Sequence, residues 1–107
     1  MLHIGIDEYV FDVLMPDLVG DDHSPSAFLV YLFLWCKLYR SEQKRIAVSL
    51  QQIAEGTGLS KSAVQAGLRI LKRRRLVQAS RRSRTATPHY ELLRHWIRRR
   101  ARSQARG

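Results

Sequence analysis

The stretch Ser49-Leu-Gln-Gln-Ile-Ala-Glu-Gly-Thr-Gly-Leu-Ser-Lys-Ser-Ala-Val-Gln-Ala-Gly-Leu-Arg-Ile-Leu-Lys-Arg-Arg-Arg-Leu-Val77 decides the fold. Ser49 is suited to cap a short helix whose apolar side is Leu50, Ile53 and Ala54. Gly56-Thr57-Gly58 is expected to break that helix, because glycine supplies the positive φ of a sharp corner. Ser60 then caps a second helix that meets no breaker before about Arg74. Two helices joined by a glycine-containing turn of three to four residues form a helix-turn-helix.

The second helix separates its faces. At roughly 100° per residue, Lys61, Ser62, Gln65, Arg69 and Lys72 fall within about 100° of one another. Val64, Leu68 and Leu71 fall on the opposite flank, with Ala63 and Gly67 beside them. One side can therefore be buried, and the other carries only long donors and hydroxyls. An ordinary solvated face would mix signs, and this one contains no acid. Lysine and arginine reach phosphates and guanine edges, and glutamine can pair with adenine. Gly67 lies on the apolar arc, where glycine costs a helix about 1 kcal/mol relative to alanine. It therefore implies close approach by another backbone.

Ile53-Ala54, Gly58-Leu59-Ser60, Val64, Leu68, Leu71 and Leu76-Val77 together resemble the winged-helix DNA-binding domains of bacterial regulators of the MarR and GntR type. They are also similar to the N-terminal winged helices of plasmid and phage replication initiators. The resemblance covers roughly residues 24 to 92. Its spacing is fairly specific for the fold and poorly specific for the biological role. It departs from those domains at Arg75, where they usually place a glycine as a left-handed helix stop. A left-handed arginine costs on the order of 1 kcal/mol, which leaves open a different helix end and a different aim for the following strand.

The rest of the chain divides around this motif. Residues 1–23 are expected to be an N-terminal extension of short strand and loop, since Tyr9-Val-Phe-Asp-Val-Leu-Met15 is rich in strand formers and precedes Pro16. Ser24-Pro25 is a strong helix start. The helix from Pro25 to about Arg40 is apolar nearly all round, so it is either the central helix of the domain or in part a homodimer surface. Arg45-Ile-Ala-Val48 and Leu76-Val-Gln78 read as short strands, and His89-Tyr-Glu-Leu-Leu93 as a returning strand. Between the last two, Ser80 to Pro88 forms a wing loop bearing Arg81, Arg82 and Arg84. Residues 94–107 are a basic tail, in which Trp96-Ile97 packs back on the domain and a polybasic run follows. The expected fold is mainly α with a small β-hairpin, a winged helix-turn-helix of three core helices plus wing over residues 24–93. Its order is strand, helix, strand, helix, helix, strand, strand, tail.

Charge is unevenly spread along the 107 residues, whose formal net charge is +10. Residues 1–59 hold four bases and eight acids, whereas residues 60–107 hold fifteen bases and one acid, Glu91. Such a split indicates a polyanion partner for the C-terminal half, a role that a membrane surface or an acidic protein could also fill. Ser60, Lys61, Ser62, Gln65, Arg69, Lys72, Arg73, Arg81, Arg82 and Arg84 are the DNA-binding candidates. Lys61, Ser62, Gln65 and Arg69 are placed for base edges, and Lys72, Arg73 and the wing arginines for phosphates.

Catalytic, metal and cofactor sites are not expected. Gly56-Thr-Gly-Leu-Ser-Lys61-Ser62 lacks the spacing of a phosphate-binding loop. His3, His23, His89 and His95 share no ligand spacing with Cys36. That single cysteine excludes an internal disulfide and fits a reducing cytosol. The apolar run at residues 27–36 is too short for a membrane span, and no secretory leader is visible. A cytoplasmic, nucleoid-associated double-stranded-DNA binder without a separate effector domain is the expectation. A transcriptional regulator, a plasmid or phage replication initiator module and a winged-helix protein-interaction module remain as alternatives.

Overall fold

The computed structural model describes residues 3–97. Its elements are a helical N-terminal segment, α1 (Pro25–Ser41), β1 (Ile46–Ala47), α2 (Leu50–Thr57), α3 (Lys61–Arg73), β2 (Val77–Ser80) and β3 (His89–Leu92). The strands form an antiparallel sheet in the order β1-β3-β2. Ile46 faces Tyr90, and Val77, Gln78, Ala79 and Ser80 face Leu92, Glu91, Tyr90 and His89. The fold is the expected winged helix: three core helices, a small sheet, and a β2–β3 hairpin as the wing.

Local chemistry sets the helix boundaries. Ser24 Oγ accepts from the Ala27 amide at 3.2 Å, with Pro25 in the first turn. At α2, Ser49 Oγ accepts from the Gln52 amide at 3.1 Å, and Gln52 Oε1 accepts from the Ser49 amide at 2.8 Å. This reciprocal box satisfies two donors that the helix start would otherwise orphan. Ser60 Oγ caps α3 by accepting from the Ala63 amide at 3.1 Å. Gly56 does not break α2, which continues through Thr57. Of Gly56 and Gly58, the second takes the left-handed conformation, with φ +82°. A side chain at Gly56 would instead collide with the Phe33 ring of α1.

The left-handed stop of α3 falls on Arg75, at φ +58°. The Leu76 amide donates to Leu71 O at 2.9 Å and the Arg75 amide to Lys72 O at 3.0 Å, the paired bonds of a Schellman ending. Leu71 and Leu76 are both fully buried. The helix therefore ends where a glycine would end it, with an arginine bearing the conformation. Burial of Leu76 and two satisfied carbonyls offset the local cost of about 1–2 kcal/mol.

The expected N-terminal strand is instead helical. Residues 8–21 are wound mainly in wide turns, with amides bonded five residues back, as in Met15 to Val10 O and Asp22 to Asp17 O. In such winding, apolar residues four apart share a side. Val10, Leu14 and Leu18 are buried, while Phe11, Met15 and Val19 form an exposed column beside them. Burial of Val10, Leu14 and Leu18 in the core outweighs the strand preference of single residues, which depends on context.

One core runs through the molecule. Val10, Leu14 and Leu18 meet Ala27, Val30, Tyr31 and Leu34 of α1, together with Ile53, Val64, Leu68, Leu71, Leu76, Val77 and Tyr90. Where α3 crosses the start of α1, a Cβ on Gly67 would lie 3.1 Å from the backbone of Ser26 and Ala27. The close approach implied by that glycine is present. The two ends of the described segment meet at Asp7, whose carboxylate accepts from Trp96 Nε1 at 2.9 Å and lies 3.5 Å from Arg94 Nη1. Trp96 also stacks on Tyr9, with ring centroids 4.3 Å apart. Trp96 thus packs back on the domain, while the polybasic run from Arg98 lies outside the described residues.

Candidate nucleic-acid interface

Helix α3 presents two unlike sides. Val64, Gly67, Leu68 and Leu71 are buried, and Lys61, Ser62, Gln65, Arg69, Lys72 and Arg73 are all exposed. The face expected from helical periodicity is thus the face in solvent. Ser60 is also exposed, but its oxygen already accepts from the Ala63 amide. Its hydroxyl lies 3.2 Å from that of Ser62, so the pair can pass one free hydrogen outward. Ser60 is first a cap and second a donor.

Neighbouring arginines at the end of α3 have different surroundings. Arg73 is exposed. Arg74 turns to the N-terminal segment, where its Nε and Nη2 both donate to the Asp22 carboxylate, the latter at 2.9 Å. Asp17 adds a carboxylate oxygen 3.7 Å from Nη1. The guanidinium hydrogen bond holds the Asp22 carboxyl below its usual range and raises the Arg74 value in turn. Arg74 is thereby committed to tying α3 to residues 17–22. Exposed Arg75 follows immediately and extends the basic strip into β2. The sequence reading treated Arg75 only as a helix stop. Its signal as a candidate is its place in the run Arg73-Arg74-Arg75, one step beyond the helical period.

The wing is an ordered turn. Residues 81–85 are all exposed. Arg81 Nη1 donates to Arg84 O at 3.0 Å, and the Ala86 amide donates to Ser83 O at 3.3 Å. Arg81 therefore braces the wing tip while keeping its charge. Arg82 and Arg84 make no side-chain hydrogen bond among the described residues, so they project their donors freely. At the wing's base Tyr90 is buried, and that burial raises its phenol pKa. β2 packs on α3, so the wing is anchored to the same helix that carries the basic face.

Elsewhere, Cys36 is half-buried on α1. Among the described residues no group of three or more His, Cys, Asp or Glu side chains is placed to hold a metal ion. No described helix is long and apolar enough to cross a membrane.

Element order, strand register and the capped α2–α3 corner define a winged helix with a basic outward helix face. In its fold the chain is similar to the solved structure of the AntR antimony-specific transcriptional repressor, at 21% identity and a TM-score of 0.48, covering 98% of this chain and 83% of that one. No family model and no curated protein matches the chain. Both the fold and the basic face stand on this chain's own elements.

Proposed function

We propose that the protein binds double-stranded DNA in a sequence-directed way, with α3 in the major groove and the wing arginines on phosphates or the minor groove. The observation that carries this reading is the outward side of α3. It has lysine, arginine, glutamine and serine donors, no acid, and a rigid backing of Val64, Leu68 and Leu71. Lys61, Ser62, Gln65 and Arg69 face base edges. Lys72, Arg73, Arg81, Arg82 and Arg84 hold phosphates, with Ser60 assisting at the helix start. The DNA-reading unit is residues 24–93, and the setting is the bacterial cytoplasm and its nucleoid. A transcriptional regulator of MarR or GntR type is the first reading within this class, and a plasmid or phage replication initiator the second. Selection of bound sequences from a random library separates them: a palindrome favours a paired regulator, and tandem repeats favour an initiator.

The direct test compares Gln65→Ala with Arg82→Ala on a selected duplex and its scramble by fluorescence anisotropy. Gln65 is uncharged and gains little from phosphates, so its loss should weaken specific binding by about 1–3 kcal/mol and leave scrambled DNA nearly unchanged. Arg82→Ala should weaken both and reduce the salt slope by about one. With six or more phosphates neutralised, wild-type affinity should fall about 10³-fold or more between about 50 and 200 mM salt. Absence of DNA binding at physiological salt would instead favour a protein-interaction module.

A further inference from the structure

Away from the outward side of α3, an open cavity of about 300 Å³ lies between the C-terminal half of α1 and β3. Trp35 and Tyr39 of α1 give it aromatic walls. Gln43 and Lys44 reach it from the loop before β1, Glu91 from β3, and Arg94 from the segment after β3. None of these residues belongs to the set assigned to DNA. The cavity thus gathers two aromatic rings, an amide, two cations and one carboxylate. Aromatic walls with a few placed polar groups are the usual make-up of a small-molecule site.

Residues 5–7 hold these walls in place. Trp35 Nε1 donates to Gly5 O at 2.8 Å. Gly5 also lies against the Tyr39 ring, where a Cβ would stand 3.5 Å from the phenol oxygen. The Asp7 carboxylate lies 3.5 Å from Arg94 Nη1, and Arg94 Cζ sits 5.4 Å over the Trp35 ring. Arg45 Nε lies 3.8 Å from the Glu91 carboxylate. Lys44 is exposed and makes no ion pair among the described residues. Three cations (Lys44, Arg45, Arg94) against two carboxylates (Asp7, Glu91) leave the cluster one net positive charge. The cavity is therefore formed in advance and suited to an anion.

We propose that this cavity binds a nucleoside monophosphate. Tyr39 is 50% exposed and supplies a ring on which a base can stack. Lys44 and Arg94 take the phosphate through charge-assisted hydrogen bonds. Glu91 can only accept while ionised, so the ligand must bring donors of its own. Ribose hydroxyls or a base amino group supply them. A simple aromatic acid has no donor for that carboxylate and would set a second negative charge beside it. The volume lies at the lower end of the range for small-molecule sites, which suits one nucleotide and not a longer strand. β3 is the central strand of the sheet and one arm of the wing hairpin, so the occupant rests on the strand that carries the wing. The proposal does not rest on the DNA reading.

Nitrogen-15 NMR of the full chain without DNA, near physiological salt, tests the proposal with three probes: AMP, adenosine and inorganic phosphate. AMP should saturate with a dissociation constant of about 1 mM or below. It should move the Trp35 indole signal and the amides of Lys44 and Leu92. Adenosine and phosphate should each bind about tenfold or more weakly, since each keeps only part of the contacts. Tyr39→Ala should raise the AMP dissociation constant about fivefold or more, and Lys44→Gln by a similar factor. Both side chains are exposed, and circular dichroism confirms that the variants are folded. Arg82→Ala, on the wing, should leave AMP binding unchanged. AMP shifts confined to α3 and the wing would overturn the proposal, because they report an anion on the basic face. So would phosphate binding as tightly as AMP, AMP binding indifferent to Tyr39→Ala and Lys44→Gln, or no saturation by about 5 mM. None of these outcomes bears on anisotropy measurements of DNA binding.

Discussion

Helix α3 and the helix of residues 8–21 both pack on α1, both bury leucine and valine on one side, and show solvent opposite chemistries. The outward side of α3 is basic and hydrogen-bonding, whereas that of residues 8–21 is apolar along Phe11, Met15 and Val19 and acidic along Glu8 and Asp12. Burial alone therefore says little about what a helix is for. The inner sides supply stability, and the outer sides divide the molecule into one basic surface and another that is apolar and acidic. Arg74 joins the two helices through Asp22 and Asp17, so the α3 scaffold is braced from the acidic side of the molecule.

The largest break in this comparison is at the shared support. Gly67→Leu places a branched side chain where even a Cβ would lie 3.1 Å from the α1 backbone. The helices must then separate, and the variant should fail to fold cooperatively, as read by circular dichroism and thermal melting. A normal melt would show that α3 can lift from α1 without loss, contrary to one continuous core.

Next come the inner columns. Leu68→Ala and Leu14→Ala should each destabilise by about 2–5 kcal/mol in urea titrations, since both side chains are buried. Met15→Ala, one residue along, should stay within about ±0.5 kcal/mol when measured on the monomer. A large effect at Met15 with a small one at Leu14 would mean that the N-terminal helix is rotated on α1.

These contrasts show what was legible in the sequence. The α2–α3 corner was readable because Ser49, Gly58 and Ser60 are local signals with fixed geometries, and because α3 keeps an undiluted helical period. The ten candidate residues are all exposed, as the period of α3 and the polar composition of the wing loop led one to expect. The N-terminal segment was misread because Tyr9, Val10, Phe11 and Val13 favour strands individually. The deciding signal was the four-residue spacing of Ile6, Val10, Leu14 and Leu18, which fits neither strand alternation nor an ordinary helix cleanly. The Asp22–Arg74 pair joins residues 52 positions apart, and no local pattern announces it.

The bridge between the two helices gives a smaller and pH-dependent effect. Asp22→Asn leaves Arg74 without its charged partner and should destabilise by about 1–3 kcal/mol near neutral pH. Because the folded-state carboxyl titrates below its unfolded value, its contribution is present above the ordinary carboxylate range and is lost as pH falls through the lowered folded value. The gap in melting temperature between wild type and Asp22→Asn should therefore close on acidification. A gap that is constant with pH would assign the loss to packing rather than to the ion pair.

The smallest expected effect is a gain. Arg75 is held at φ +58° at the end of α3, a conformation glycine adopts without steric penalty. Arg75→Gly removes a strain of about 1–2 kcal/mol but gives the unfolded chain more freedom, which takes back part of the difference. The net should be about 0.5–1 kcal/mol of added stability in urea. Arg75→Ala removes the same charge and side chain but keeps a Cβ in the left-handed region, so it should show no such gain. The two variants should lose the same small amount of DNA affinity, since each deletes one exposed cation beside α3. Equal stabilities for the glycine and alanine variants would show that the Leu76 and Leu71 packing has already relaxed the turn. Unequal DNA affinities would show that the turn sets the aim of the wing. Then the left-handed arginine would be a geometric hinge between the helix face and the hairpin, and not only a basic residue at the edge of the interface.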